Sequence, residues 1–170
     1  MDKTLNQRFL PEIKAINEKI VAFNQFLAPA SRVPLLDLER MIEEKSCVQI
    51  LHGQWNDFTW PNPDKRGVYF ILGHEMREDK NGIYIGKASF NSVMGSRLDC
   101  HLRPHKNSEQ FIMDGYRNER YILDYIVTIN LDRLDIGFFA SALEEYLITR
   151  LNAKLNLLNG IGNYIYGFLL

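Results

Sequence analysis

A chain of 170 residues, 46% hydrophobic and 24% charged, has the size and composition of one globular domain with room for a helical extension. Its 20 Lys+Arg against 21 Asp+Glu give a net charge of −1, which excludes a protein that holds nucleic acid through its overall field. Two cysteines, Cys47 and Cys100, are too far apart for a CxxC pair. They read as free thiols of a reducing cytosol rather than a disulfide framework or a zinc site. The opening MDKTLNQRFLPEIK lacks the basic-then-apolar layout of a signal peptide, and no apolar run approaches the ~20 residues of a membrane span. The expected location is cytoplasmic, with no membrane partner.

Residues 4–28 read as a helix, because Ile13, Ile16, Ile20, Phe23 and Leu27 step by three and four. This stripe is a helix packed on its own domain or a homodimer seam; two heptads are too few for a coiled coil, which favours the first. PASRVP breaks the chain, and a second helix is expected over 35–48. Residues 52–67 are rich in Trp, Pro and Gly, which is loop chemistry. Trp55, Phe58 and Trp60 there either stack on bases or plug the loop onto the core, the commoner use. Gly67 to Leu72 is a short apolar strand, GHEMREDKNG a polar tip with Asn81-Gly82 as its turn signal, and Ile83 to Lys87 the returning strand. Asn91 to Leu102 is helical, closed by Arg103-Pro104. Tyr121 to Leu131 alternates as a third strand, with Tyr121, Leu123, Tyr125, Val127 and Ile129 on one face. Asp135 to Leu155 is the last helix. The expectation is an α+β fold: a small three-stranded, mainly antiparallel sheet flanked by helices, with residues 1–60 as a helical extension and aromatic loop before a catalytic domain at 61–170.

The chemistry-bearing residues gather in the second half. Arg97 and His101, four apart, share a helix face. Glu144 interrupts an apolar row of Ala140, Leu147, Ile148 and Leu151. An acid there is costly unless a cation, either a metal ion or a basic side chain, meets it. Glu145 lies on a more polar side. Tyr69 and Tyr84 stand on the two arms of the hairpin, with Lys87 just beyond, and pairing the arms would bring all three to one spot. Two phenols, a lysine, an arginine, an imidazole and one carboxylate suit phosphodiester cleavage assisted by a single metal ion. Each has a plainer alternative: strand aromatics, an Arg97–Glu144 ion pair, a surface histidine. Between residues 81 and 120 six basic side chains face four acidic ones, a weak basic patch in which Arg103 and Lys106 are candidates for phosphate contact.

Gly67-Val68-Tyr69, Tyr84-Ile85-Gly86-Lys87-Ala88, Arg97-x-x-x-His101, Glu144-Glu145-Tyr146-Leu147-Ile148 and Asn156 occur in the order and spacing of a known set. On these motifs, over about residues 66–160, the chain resembles the GIY-YIG nucleases. The resemblance implies that Tyr69 acts as general base on water, that Tyr84 hydrogen-bonds the phosphate or water, and that Glu144 binds Mg²⁺, with Mn²⁺ as a substitute. It implies that Gly67 and Gly86 shape the site, and that Asn156 ties down the sheet and the backbone beside it. Lys87, Arg97 and Mg²⁺ are expected to lower the Tyr69 pKa from the ~10 of a free phenol. Departures are a longer hairpin tip, about three extra residues before Arg97, and Ala153 where the family often has proline. The implied activity is Mg²⁺-dependent hydrolysis of double-stranded DNA. The extra length before Gly67, and a chain that ends soon after the last motif, point to a compact restriction-type endonuclease. The alternatives are a repair or structure-specific nuclease and, in another class, a non-cutting DNA-binding or adaptor module.

Overall fold

The computed structural model describes residues 7–50, 59–78, 80–102, 112–114 and 120–159. They form an α+β fold around one antiparallel sheet. Helix α1 spans Leu10–Phe23 and α2 Leu38–Glu43. Strand β1 is Cys47–Gln49, β2 Gly67–Glu75 and β3 Asn81–Ala88. Helix α3 is Met94–His101, β4 Ile112–Asp114, β5 Arg120–Asn130 and α4 Ala140–Leu151. The sheet has five strands in the order β1-β5-β2-β3, with β4 also paired to β5. The three expected strands are therefore its centre and one edge. The two additions, β1 and β4, are three residues long, too short to show a period.

The expected helix over 35–48 is the clearest departure. Only Leu38–Glu43 is helical, started by Asp37, whose carboxylate accepts from Arg40 N at 3.1 Å, an N-cap bond. Lys45 then takes a left-handed conformation at φ 57°, which stops the helix. Cys47, Val48 and Gln49 pair with Val127, Ile126 and Tyr125. A partner almost eighty positions away decides their state, which local propensity cannot do.

The β2–β3 hairpin is as expected, but longer. Asn81 and Gly82 lie within β3, opposite His74 and Gly73, so the turn falls before them. Register then assigns the faces. Side chains two apart on a strand point the same way. Tyr69 and Ile71 face one side with Tyr84 and Ala88, under α3 residues Met94 and Leu98. Val68, Phe70, Leu72, Ile83 and Ile85 face the other side, beneath α1 and α4. Strand β5 does not keep one face from Tyr121 to Ile129 as its alternation suggests. Its pairing with β2 slips between Leu72 and Gly73, where Leu72 meets Tyr125 and Gly73 meets Leu123. Asp124 is the extra residue of this bulge. Leu123 consequently joins Ile126 under α3, while Tyr125, Val127 and Ile129 join the other core.

Helix α1 uses its stripe inside the chain. Ile13, Ile16, Ile20 and Phe23 are buried. Phe9 meets Tyr125 edge-on at 6.0 Å and Phe23 meets Tyr146 of α4 at 5.3 Å between ring centroids. Burying each such side chain is worth about 1.5–3 kcal/mol, so this helix is part of the main core. Among the described residues no helix is long and apolar enough to cross a membrane.

Candidate functional site

Strand β3 is an edge of the sheet, and the candidate residues sit on both sides of it. On the α3 side, Tyr69, Tyr84 and His101 form a ring cluster. Tyr69 and Tyr84 stack at 6.3 Å and 26°. His101 lies 4.9 Å from the Tyr84 ring and 6.1 Å from the Tyr69 ring, centroid to centroid. His101 Nε2 stands 3.3 Å from the Tyr84 hydroxyl. Arg97, one turn earlier on the same helix face, is exposed, and its charge acts on both phenols and on His101.

The two motif glycines have steric reasons. Tyr69 and Gly86 are cross-strand partners, and a Cβ on Gly86 would lie inside the Tyr69 phenol. The ring therefore rests on bare backbone, an aromatic covering a strand glycine. At Gly67 a Cβ would run into the Ile129 carbonyl of β5, so the strand pairing itself requires glycine there.

Helix α3 is held over the sheet from its N-terminal end. Among its early N–H groups, which lack helical partners, Met94 N donates to Lys65 O and Gly95 N to Pro63 O, both at 2.9 Å. Trp60 packs against the Tyr69 cluster and its indole N–H donates to Asp99 of α3. Trp60 thus plugs the loop onto the core. Trp55 and Phe58 lie outside the described residues, as do the phosphate-contact candidates Arg103 and Lys106.

On the α4 side stand Lys87 and Glu144. Lys87 is one residue out of phase with Tyr84 and Gly86, so it points to the opposite face from the tyrosines. The expectation that Tyr69, Tyr84 and Lys87 share one spot is corrected by this pleat. Lys87 Nζ instead meets Glu144 Oε2 at 2.9 Å, with the side chains 37% and 18% exposed. The acid in the apolar row does meet a cation, and the cation is Lys87. Buried Ala140, Leu143, Leu147 and Leu151 hold the helix face from which Glu144 reaches, while Glu145 is exposed. The two half-sites are not isolated, for the Glu144 charge raises the pKa of both Tyr84 and Tyr69.

The backbone between the halves is clamped by the chain after α4. Asn156 Nδ2 donates to Asn81 O and to the Tyr121 hydroxyl, each at 3.0 Å. Leu158 N donates to Ile83 O at 2.7 Å. Asn159, which no sequence motif singled out, grips Ile85 from both sides: Ile85 N donates to its Oδ1 at 3.0 Å and its Nδ2 donates to Ile85 O at 2.6 Å. Ile85 lies between Tyr84 and Gly86. An edge strand left with open N–H and C=O groups is here closed and held by its own chain.

The electrostatics keep the α3 side neutral. Tyr69 is fully buried, and burial pushes its pKa well above the phenol range, helped by Tyr84; Arg97 pulls the other way without offsetting this. Tyr84 is also raised, by burial first and Glu144 second. From the protein's own groups Arg97 gives the expected lowering of Tyr69, but desolvation of a wholly buried phenolate outweighs one exposed guanidinium. Burial and then Arg97 lower the His101 pKa below 6.5, so its imidazole is neutral at pH 7. The Tyr69 hydroxyl is buried beside Tyr84, Arg97 and His101; it has no hydrogen bond of ordinary length and angle among the described residues, and Arg97 and Tyr84 are the polar groups that act on it.

No group of three or more His, Cys, Asp or Glu side chains gathers to hold a metal ion among the described residues. One carboxylate, Glu144, half-buried and 2.9 Å from Lys87 Nζ through Oε2, does fit Mg²⁺. That ion keeps several of its waters and accepts one or two protein carboxylates together with substrate phosphate. No family model, no curated protein and no solved structure matches this chain.

Proposed function

We propose that the protein is a nuclease of the GIY-YIG type, cleaving phosphodiester bonds of double-stranded DNA at a site built across strand β3. The observation that carries this reading is the contact of His101 Nε2 with the Tyr84 hydroxyl at 3.3 Å, beside the Arg97 charge and at the same strand edge as the Lys87–Glu144 pair.

The roles follow from protonation states. Tyr69, held protonated and wholly buried, backs the site and positions Tyr84 and His101 rather than accepting a proton. Arg97 balances the charge that grows on the phosphate. His101 is the group able to take a proton at neutral pH, directly from water or from Tyr84, whose hydroxyl is 3.3 Å from Nε2. Water oxygen then bonds to phosphorus as the bond to the leaving oxygen breaks. Glu144 would hold Mg²⁺, which supplies charge neutralisation and stabilisation of the leaving oxygen. Lys87 holds the Glu144 carboxylate in position and adds positive charge at the β3 edge.

A non-cutting module is the second reading, and the Lys87–Glu144 pair favours it: at 2.9 Å the lysine already satisfies one oxygen of the carboxylate a metal ion would need. Incubation with mixed plasmid, phage and genomic DNA, with and without Mg²⁺, separates the two. The nuclease reading expects cleavage that requires Mg²⁺. Discrete bands identify a restriction-type enzyme, and nicks or a smear a structure-directed one. The rate should be flat at neutral pH and fall only at a pH below the ordinary imidazole range, where His101 becomes protonated. DNA binding with no cleavage of duplex, branched or single-stranded substrates would establish the non-cutting module instead.

A further inference from the structure

A hollow of about 320 Å³ opens beside β5, lined among others by Arg32, Arg40, Arg133, Glu44, Asn62 and Thr128. The three arginines come from three separate places. Arg32 follows the turn Pro29–Ser31, Arg40 lies in α2, and Arg133 lies in the turn Asp132–Leu134 after β5. Their charges are little compensated. Asp132, the acid next to Arg133, is taken by Arg66, which donates from Nε and from its backbone N–H at 2.8 Å each, with Nη2 at 2.6 Å. Glu44 Oε1 stands 3.9 Å from Arg40 Nε, with both side chains about half exposed at 48% and 51%, so water screens that pair. Neither Arg32 nor Arg133 has an acidic partner among the described residues.

The wall is rigid. Arg40 Nη2 donates to Leu35 O at 2.8 Å, which fixes its guanidinium. Asn62, in a left-handed conformation at φ 49°, donates to the Thr128 hydroxyl at 2.8 Å, and Thr128 donates to Ser46 O at 2.9 Å. A small concave site with a fixed polar wall and three arginines in its lining is suited to a doubly charged oxyanion. A volume of about 320 Å³ is at the low end of small-molecule sites, enough for a phosphate with its sugar.

We infer that the hollow bounded by Arg32, Arg40 and Arg133 is a phosphate-binding site, separate from the tyrosine cluster. The phosphate belongs either to a nucleic-acid backbone or to a free nucleotide. Thr128 is the β5 partner of Tyr69, so a backbone phosphate here would sit one strand over from the tyrosine cluster. The inference rests on the hollow alone and not on the nuclease reading.

Arg32→Gln and Arg133→Gln test it, because neither side chain supports the fold through a described contact. Circular dichroism and melting confirm that both variants are folded. Calorimetry with ATP and pyrophosphate, and duplex affinity measured against NaCl concentration, are then compared with wild type; no cleavage is read. For a free nucleotide, wild type binds ATP or pyrophosphate, each variant binds at least ~10-fold more weakly, and the salt dependence of duplex binding is unchanged. For a backbone phosphate, the slope of log K against log salt falls by about one per arginine removed. Either result supports the inference. Wild type that binds neither ligand, or variants that match it in both assays, would overturn it. A dead cleavage assay alongside positive binding would leave this site standing and count only against the nuclease.

Discussion

Glu144→Gln is expected to lower the single-turnover rate of DNA cleavage by a factor on the order of 10³ while leaving the fold intact. Glutamine keeps the size of the side chain and its reach from the apolar face of α4. It loses the charge, and with it the ability to hold Mg²⁺ against Lys87. The variant also frees Lys87, which is 37% exposed and can be solvated, so the stability change should stay under ~1 kcal/mol. Duplex affinity should be unchanged or slightly tighter, since a negative charge has left the β3 edge. Quench-flow cleavage, denaturant midpoints and fluorescence anisotropy read these three quantities. A Glu144→Gln variant that cuts at the wild-type rate would remove Glu144 from the chemistry.

Gly86→Ala should cost about 3 kcal/mol and abolish cleavage together. The added methyl lands in the Tyr69 ring, and neither partner can yield easily. Tyr69 is wholly buried in the cluster with Met94 and Leu98. Gly86 is on a strand whose preceding residue, Ile85, is held by Asn159 on both its N–H and its C=O. Overpacking of a tight core typically costs about 1–3 kcal/mol, and the clamp places this case at the upper end. Near-UV circular dichroism should report the displaced tyrosine. Pairing Gly86→Ala with Tyr69→Leu should restore most of the stability and none of the activity. If the single variant is as stable as wild type, the ring does not rest on Gly86.

These two residues also show how far the sequence can be read. The stripe Ile13, Ile16, Ile20 and Phe23 shows the α1 face directly, because helical burial has a local period. The same logic flags Glu144 as the misfit in the α4 row. The hairpin arms carry Tyr69 and Tyr84 at a spacing that register turns into a stacked pair. What depends on distant partners is not legible. Cys47–Gln49 becomes a strand only because β5 is there to pair with it. Asp124 forms a bulge because β2 and β5 slip, and this moves Leu123 to the face opposite that implied by alternation. Lys87 follows the pleat of β3 away from the tyrosines, a consequence of parity that the motif YIGKA hides. Asn159 has no pattern around it, and its role appears only when the chain after α4 runs back along Ile83 and Ile85. The raised pKa of Tyr69 needs the depth of burial, which no spacing reports. In the proposed nuclease, that depth moves the role of general base from phenol to imidazole.

In the proposed nuclease the tyrosine–histidine cluster and the Lys87–Glu144 pair, on opposite faces of β3, act as one site. A double-mutant cycle on Mg²⁺-dependent cleavage tests this most directly, with Glu144→Gln, His101→Asn and both together measured under single turnover at neutral pH. Groups that act as a unit are far from additive. The predicted result is that the double variant is about as slow as the slower single variant. Rate losses that simply multiply, or a His101→Asn enzyme as fast as wild type, would contradict it.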